Sequence, residues 1–350
     1  MAIYMASNYS QNTLGAKLCI EAVGDLVTNA IQSIQDCPQV KLADYGIADG
    51  GTTQELWQQV FSTIKKQNEG VFLEAIFSDL PSNDFNALGQ TASCLIEDEK
   101  NLVVSMVPHS FYQPICFPNS LDFGFSAAAM HWLSKLPKHL SYHTHINACD
   151  QGEDKAIFQA QSQLDWITIL LARAKELKSG GQIVSTNLCT DEKGRYLGNN
   201  QVDLNMHDVL HEIWKQMQTE GLITPEEYVC ATFQNYYRTE AEFTACLEDP
   251  QSEVYQAGLR LEDARIVSLP CPYRSQYEED GDAEKFSQGL TQTIRSWSEH
   301  TFRSAFTNRS DEDIFNLVNQ FYARFTARVR ENPSQFSMSH THIHLHICKV

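Results

Sequence analysis

The chain has 350 residues, a formal charge of −18 at neutral pH and 42% apolar residues. That is enough apolar material for one large α/β domain or two small ones. The acidity, with no basic stripe, excludes a nucleic-acid binder that works by neutralising phosphates, and no run reaches the ~18 apolar residues that a bilayer span requires.

The polar opening carries Tyr9, Asn12 and Thr13 and enters a helix to about Ser33, with Leu18, Ala22, Leu26 and Ala30 at helical spacing. Cys37-Pro38 ends it. Val40 to Tyr45 alternates apolar residues as a strand, meets Gly46, Gly50 and Gly51, and runs into a helix from Gln54 to Lys65. Strand, glycine turn and helix make a cradle for a nucleotide-like ligand, because Gly46 and Gly50 let the backbone pass where a β-carbon would collide. The spacing Asp44-x-Gly46-x-x-x-Gly50 is neither the dinucleotide fingerprint nor a P-loop, and a plain strand-to-helix turn is the alternative.

Val71 to Phe77 reads as a second strand ending at Asp79-Leu80-Pro81. Ligands of open α/β sheets sit beyond the carboxyl ends of strands, so Asp79 is placed either to bind a ribose hydroxyl pair or to cap the turn before Pro81. Leu102 to Val107 is a third strand, followed by Ser110 and Phe111, which suit an adenine edge and face or, for the ring, plain core. Leu121 to Phe125 is a fourth, leading to Ala128, His131 and Trp132, the tryptophan serving as core or as pocket wall.

Asp154 to Leu177 is a long amphipathic helix that Ser179-Gly180-Gly181 stops as a glycine C-cap. Gln182 to Leu188 is the fifth strand, residues 203–220 are helical, and Pro225 opens a further helix. Helices then continue to about Leu261, read as an insertion covering the sheet. Ala264 to Leu269 is a sixth strand, residues 281–287 a polar loop, residues 288–331 helical, and His340 to Val350 a final strand.

With period two, His340, His342, His344 and His346 share one face of that last strand. Alternate histidines can bind a divalent metal. The favoured reading is a half-buried strand whose wet face is histidine, because no carboxylate is interleaved and the strand is expected far from the cradle. His207 and His211 lack the His-Glu-x-x-His order, and no Gly-x-Ser-x-Gly elbow occurs. The ten cysteines form no Cys-x-x-Cys pair and read as free thiols of a reducing compartment. With no signal-peptide pattern, a cytoplasmic protein is expected. The acidic runs Glu97-Asp98-Glu99 and Glu278-Glu279-Asp280 read as solvated loops.

Seven blocks fall in order along the chain. They are Asn8-Tyr-Ser-Gln-Asn-Thr13, Asp44-Tyr-Gly46, Asp79-Leu-Pro-Ser-Asn-Asp-Phe-Asn86, and Ser110-Phe-Tyr112 running on to Phe117-Pro118. His131-Trp-Leu-Ser134, Ser179-Gly-Gly-Gln-Ile-Val184 and Glu220-Gly-Leu-Ile223 complete them. On these blocks the sequence resembles the SABATH family of S-adenosylmethionine (SAM) methyltransferases, whose members methylate salicylic, benzoic, jasmonic and indole-3-acetic acids, with relatives acting on xanthine nitrogens. The resemblance implies a Rossmann-like α/β sheet flanked by helices, with a mostly helical cap over the acceptor pocket. It implies one catalytic unit, with residues 1–190 and 262–350 as the SAM-binding core and 191–261 as the cap. The implied reaction moves a methyl group from SAM to a carboxylate oxygen of a small organic acid, in a chain that, like its relatives, forms a homodimer.

Residue by residue, the resemblance puts Tyr9, Thr13 and Asp44 at the methionine part of SAM. It puts Gly46 in the cradle, Asp79 on the ribose, Leu80 against adenine, and Ser110 and Phe111 at the adenine. Trp132 would wall the acceptor pocket with its indole N–H toward the substrate carboxylate, and Phe233 and Tyr237 would cover it from the cap. No catalytic acid or base is expected, since a carboxylate with a pKa near ~4 is already ionised. An N- or phenol O-methyltransferase would need a base, and His131 is the candidate. A SAM-binding protein without turnover is the other alternative, while the glycine spacing disfavours a dehydrogenase. Ala16 stands where the family often has Gln, Ala128 where it often has Tyr, and Thr52 where it has Asn. Ala231-Thr-Phe-Gln234 replaces the Asp-x-Phe-Asn metal pattern of some members, so no magnesium, and no metal, is expected. The two alanines imply a larger or differently held acceptor.

Overall fold

The computed structural model describes residues 5, 9–34, 37–97, 99–149 and 152–350. Asn8 of the opening block and Asp98 of the first acidic run lie outside the described residues. Helices α1 (Tyr9–Asn12), α2 (Leu14–Ala22) and α3 (Gly24–Gln32) come first. They break the single helix expected there, because Val23 closes one helix and opens the next. The α/β alternation then runs β1 (Gln39–Tyr45), α4 (Gln54–Gln67), β2 (Phe72–Asp79), α5 (Phe85–Glu97), β3 (Leu102–Pro108), β4 (Leu121–Ala127), α6 (Glu153–Glu176) and β5 (Leu177–Leu188). Helices α7 (Met206–Thr219), α8 (Pro225–Cys230), α9 (Glu240–Glu248) and α10 (Glu253–Gln256) follow. The chain ends with β6 (Leu259–Leu269), α11 (Pro272–Asp280), α12 (Ala283–Ser304), α13 (Asp311–Glu331) and β7 (His340–Lys349).

All seven strands join one sheet in the order β3-β2-β1-β4-β5-β7-β6. The first five are parallel to their neighbours, and β7 runs antiparallel between β5 and β6. Strand order reverses at β1 and β4, which opens a crevice beyond their carboxyl ends. Helix α4 turns Leu56, Trp57, Val60, Phe61 and Ile64 onto one face of the sheet, together with Leu26 and Ala30 of α3. Trp166, Ile169 and Leu170 of α6 cover the other face. Inner parallel strands covered on both faces read as near-continuous apolar runs, as β1 does. Among the described residues no helix is long and apolar enough to cross a membrane.

Several expectations are corrected. Gly180 and Gly181 do not cap α6, which ends at Glu176; they lie inside β5. There the β4 pairing jumps from Leu121↔Leu177 to Phe123↔Gln182, and Gly180 takes φ +81°. The glycines serve a bulge, a use that shares its residue preference with a helix cap. The loop expected at 281–287 holds the start of α12, where the Asp282 side chain accepts the Lys285 N–H at 3.0 Å. Residues 288–331 form two helices broken at 305–310, and 272–280 form a helix that was not expected.

The helical layer also differs from the stretch assigned to it. Met206, Leu210, Trp214 and Met217 of α7 share one apolar core with Leu290, Ile294 and Phe302 of α12 and Val318, Phe321 and Phe325 of α13. The Trp214 ring centroid lies 5.1 Å from that of Phe302, tilted by 52°, and 5.8 Å from that of Phe321, edge-on at 82°. By contrast, Phe243 and Leu247 of α9 and Val254 of α10 pack on the sheet with Trp166. The histidine face of β7 is not wet. His342 and His344 are as buried as Ile343 and Leu345, because helices pack over that face of the sheet, Cys19 of α2 lying 3.2 Å from His342.

Candidate functional site

The turn after β1 is built to be approached. The Gly46 N–H donates to the Ser78 carbonyl at 2.8 Å, and Gly46 takes φ +79°. A β-carbon there would meet Ala129 Cβ at 2.5 Å, so only glycine fits. Ala48, two residues on, holds φ +55° without that freedom. Its conformation is secured from both sides: its N–H donates to Asp79 Oδ2 at 2.7 Å, and its carbonyl accepts from Asn83 Nδ2 at 2.8 Å. The block that begins at Asp79 therefore clamps the glycine turn. Asp79 Oδ1 also accepts its own neighbour's N–H, from Leu80, at 2.7 Å. Burial raises the Asp79 carboxyl, and the two backbone donors oppose that rise.

Asp44 lies at the end of β1, and its Oδ2 accepts the Trp57 indole N–H at 2.8 Å. Burial pushes its carboxyl up to about 7, against hydrogen bonds from Trp57 and Thr53, with Asp79 nearby adding to the rise. Asp49 ties the first helix to the turn: its Oδ2 accepts both the backbone N–H and the hydroxyl of Ser10 at 2.9 Å. This tether brings Tyr9 and Ala16 to the mouth of the crevice. Neither Ala48 nor Asp49 was singled out from sequence.

The loop carrying Ser110 and Phe111 is held from beneath. Arg173 of α6, fully buried, donates to the carbonyls of Phe111 and Gln113 at 2.8 and 2.9 Å. Its Nε pairs with Glu176 at 2.5 Å, and Glu176 also accepts from Tyr45 Oη at 2.8 Å and from the backbone N–H groups of Ile115 and Cys116. Nothing in the sequence reading singles out Arg173, so this network too is visible only in the fold.

Two cavities result. The first, about 290 Å³, lies at the carboxyl ends of β1, β2 and β4 and is lined by Asp44, Gly46, Asp79, Leu80, Ser110 and Phe111. The second, about 60 Å³, lies under α12 and is lined by Thr13, His131, Tyr237 and Trp297. Tyr9, Ala16, Ala128 and Trp132 form walls of both. Neither is lined by a lysine or arginine among the described residues. Phe233, expected over the acceptor, lines neither: it is fully buried, with its ring against Phe302 and Trp297. Its neighbour Gln234 reaches the first cavity and donates to the Leu133 carbonyl at 2.8 Å.

His131 is buried, and burial, with Arg238 and His340 adding to it, lowers its imidazole to about 3. A group that weak as a base stays neutral and leaves a phenol protonated at pH 7. Cys19, His340 and His342 also line the second cavity. The expectation that the last strand lies far from the cradle is therefore wrong; β7 pairs with β5 next to the site.

The family described as SAM dependent carboxyl methyltransferase matches residues 5–345. Methyltransferase FUS9 of Gibberella moniliformis is 34% identical over 156 residues, a match spanning 43% of this chain and 40% of that one. The chain thus spans less than half of that relative's length. Indole-3-acetate O-methyltransferase 1 of Arabidopsis thaliana is 26% identical over 239 residues, covering 65% of this chain and 67% of its own. A solved loganic acid methyltransferase with SAH superposes with a TM-score of 0.79 at 20% identity, covering 99% of this chain and 98% of its own, which establishes the fold.

Proposed function

The chain belongs to the SAM-dependent carboxyl methyltransferase family, and we propose that it methylates the carboxylate of a small organic acid. The observation that carries this reading is the shared wall. A crevice at the switch point of the sheet and a cavity under the helices meet at Tyr9, Ala16, Ala128 and Trp132. A donor in the first can then face an acceptor in the second.

The residues present fit SAM. Gly46 keeps the cradle open where a β-carbon would strike Ala129, and Asp79 ends β2 with a carboxylate facing the crevice. Asp79 would hold the ribose hydroxyls, Leu80, Ser110 and Phe111 the adenine, and Asp44 and Tyr9 the methionine part, while Thr13, which lines the second cavity alone, would lie on the acceptor side. SAM, when bound, supplies a methyl group on a sulfonium. The protein's share is then to bind, align and exclude water. An acid with a pKa near ~4 arrives ionised, so no base is required, in keeping with a His131 held neutral. Holding two reactants in line contributes up to about 7–11 kcal/mol. Trp132 would orient the acceptor, with Tyr237 opposite.

Ala16 and Ala128 leave the shared wall bare, which favours an acceptor bulkier than salicylate. We read the chain as one catalytic unit, a homodimer of the cytoplasm, with the ten free thiols supporting a reducing compartment. The cap in this reading is built from 191–239 together with α11–α13.

Isothermal titration with SAM, with NAD as control, followed by a panel of carboxylic acids read by product mass, tests the function. Base-labile methyl esters are expected. Base-stable N- or phenol O-methyl products, or no SAM binding, would overturn the reading.

A further inference from the structure

Helix α2 and strand β7 converge on one point. Cys19 Sγ, one ring nitrogen of His340 and one of His342 all lie within 4.8 Å of one another. Cys19 Sγ is 3.2 Å from His342 Nε2 and 3.8 Å from His340 Nδ1. A tetrahedral zinc ion, with bonds of about 2.0–2.3 Å, sets its ligand atoms about 3.3–3.6 Å apart. Both sulfur–nitrogen distances come within a few tenths of an ångström of that, and the two ring nitrogens, within 4.8 Å of one another, would draw together by rotation of the His340 ring on binding.

The surroundings prepare these atoms for ligation. His342 Nδ1 lies 3.0 Å from Thr186 Oγ1, so a proton on Nδ1 leaves the Nε2 lone pair toward Cys19. An oriented imidazole of this kind is the usual outer partner arrangement of a metal site. Gly15 makes room for the second histidine, since a β-carbon there would lie 2.9 Å from His340 Cε1. The thiol has one proton to donate, and two rings are brought to the same sulfur.

We propose that Cys19, His340 and His342 form a site for a zinc-type divalent cation, with a fourth coordination position open to the 60 Å³ cavity that they line. Three protein ligands with one open position is the arrangement of reactive rather than purely structural zinc. On binding, the Cys19 thiol gives its proton to solvent and becomes a thiolate, so the ion and its ligands carry one net positive charge. Neither cavity is lined by lysine or arginine among the described residues, so that charge would favour an anionic group at the open position. Metal binding stands or falls independently of methyl transfer.

The test uses the full chain, stripped with a chelator and reloaded. One equivalent of Zn²⁺ is expected to survive desalting, and Co²⁺ is expected to give visible tetrahedral bands with a near-ultraviolet thiolate-to-cobalt band. Cys19→Ser and His342→Gln should abolish stoichiometric binding. Thr186→Val should weaken it by about 10-fold or more, and His344→Gln, on the same strand outside the trio, should leave it unchanged. Should Cys19→Ser fail to fold, the wild-type cobalt spectrum together with Thr186→Val decides. No stoichiometric zinc, no thiolate band, or full binding by a folded Cys19→Ser chain overturns the site.

Discussion

The Asp79 carboxylate accepts the N–H of Ala48 at 2.7 Å, joining the end of β2 to the turn that leaves β1. The acid read as a ligand contact thus also secures a residue held at φ +55°. Asp79→Ala removes both functions. SAM binding by titration calorimetry is expected to fall below detection, and stability to drop by about 1–3 kcal/mol as the Ala48 donor loses its acceptor. A folded Asp79→Ala chain that binds SAM as the parent does would refute the ribose assignment.

Asp44 gives the site a pH signature. Burial and the neighbouring Asp79 push its carboxyl up to about 7, above the ordinary 3.8. Over that window the native chain keeps a proton that the unfolded chain has released. The stability Asp44 contributes is therefore complete below about pH 4 and lost as pH rises through 7. A cationic methionine moiety beside Asp44 favours the ionised form instead. SAM affinity should rise from pH 5.5 to 7, with proton release seen by calorimetry in buffers of different ionisation enthalpy. Asp44→Asn should flatten that rise. A flat profile in the parent chain would remove Asp44 from the SAM contact.

What could be read before folding was what depends on local backbone chemistry. Val40 to Thr53 carried the strand and its two positive-φ glycines within fourteen neighbouring residues, and the helix follows at once from Gln54. Asp79 followed from its place at a strand end. Packing between distant elements left no such trace: alternation shows that His342 and His344 share a face, not that α2 lies against it. Gly180 and Gly181 were ambiguous because bulges and helix caps ask for the same residue. Phe233 was misassigned because its loop has no period to say which way the ring turns. Arg173 was invisible because its partners, Phe111, Gln113 and Glu176, meet only once the sheet is assembled.

That Arg173 network carries its own prediction. Arg173 and Glu176 are both fully buried, and Glu176 answers Arg173, Tyr45 and the backbone of Ile115 and Cys116 at once. Glu176→Gln leaves a buried guanidinium uncompensated, at a cost of about 3–5 kcal/mol. Thermal unfolding should shift down by about 4–7 °C. Because the same groups hold the loop behind Phe111, SAM affinity should weaken too. Arg173→Met added to Glu176→Gln removes the stranded charge and should recover part of the stability. A double variant no more stable than the single one would show that the loop contacts, not the charge pair, dominate.

Ala16 sits on α2 where its side chain faces both cavities, so its size sets how much room lies between Tyr9 and Trp132. A helix interior accepts glutamine at a cost of a few tenths of a kcal/mol, so Ala16→Gln should fold. The longer side chain fills space on the acceptor side and brings an amide able to hydrogen-bond a carboxylate. Steric discrimination of this kind is worth about 1–3 kcal/mol, or roughly 10–200-fold in kcat/KM. On a panel of acids graded by bulk, the variant should lose its largest substrates by at least about 10-fold while gaining on compact aromatic acids. SAM affinity should hold within about threefold, since Asp79 and the glycine turn are untouched. A panel order identical to that of the parent would mean that the acceptor does not pass the shared wall at all, and the two-cavity reading of the site would fail with it.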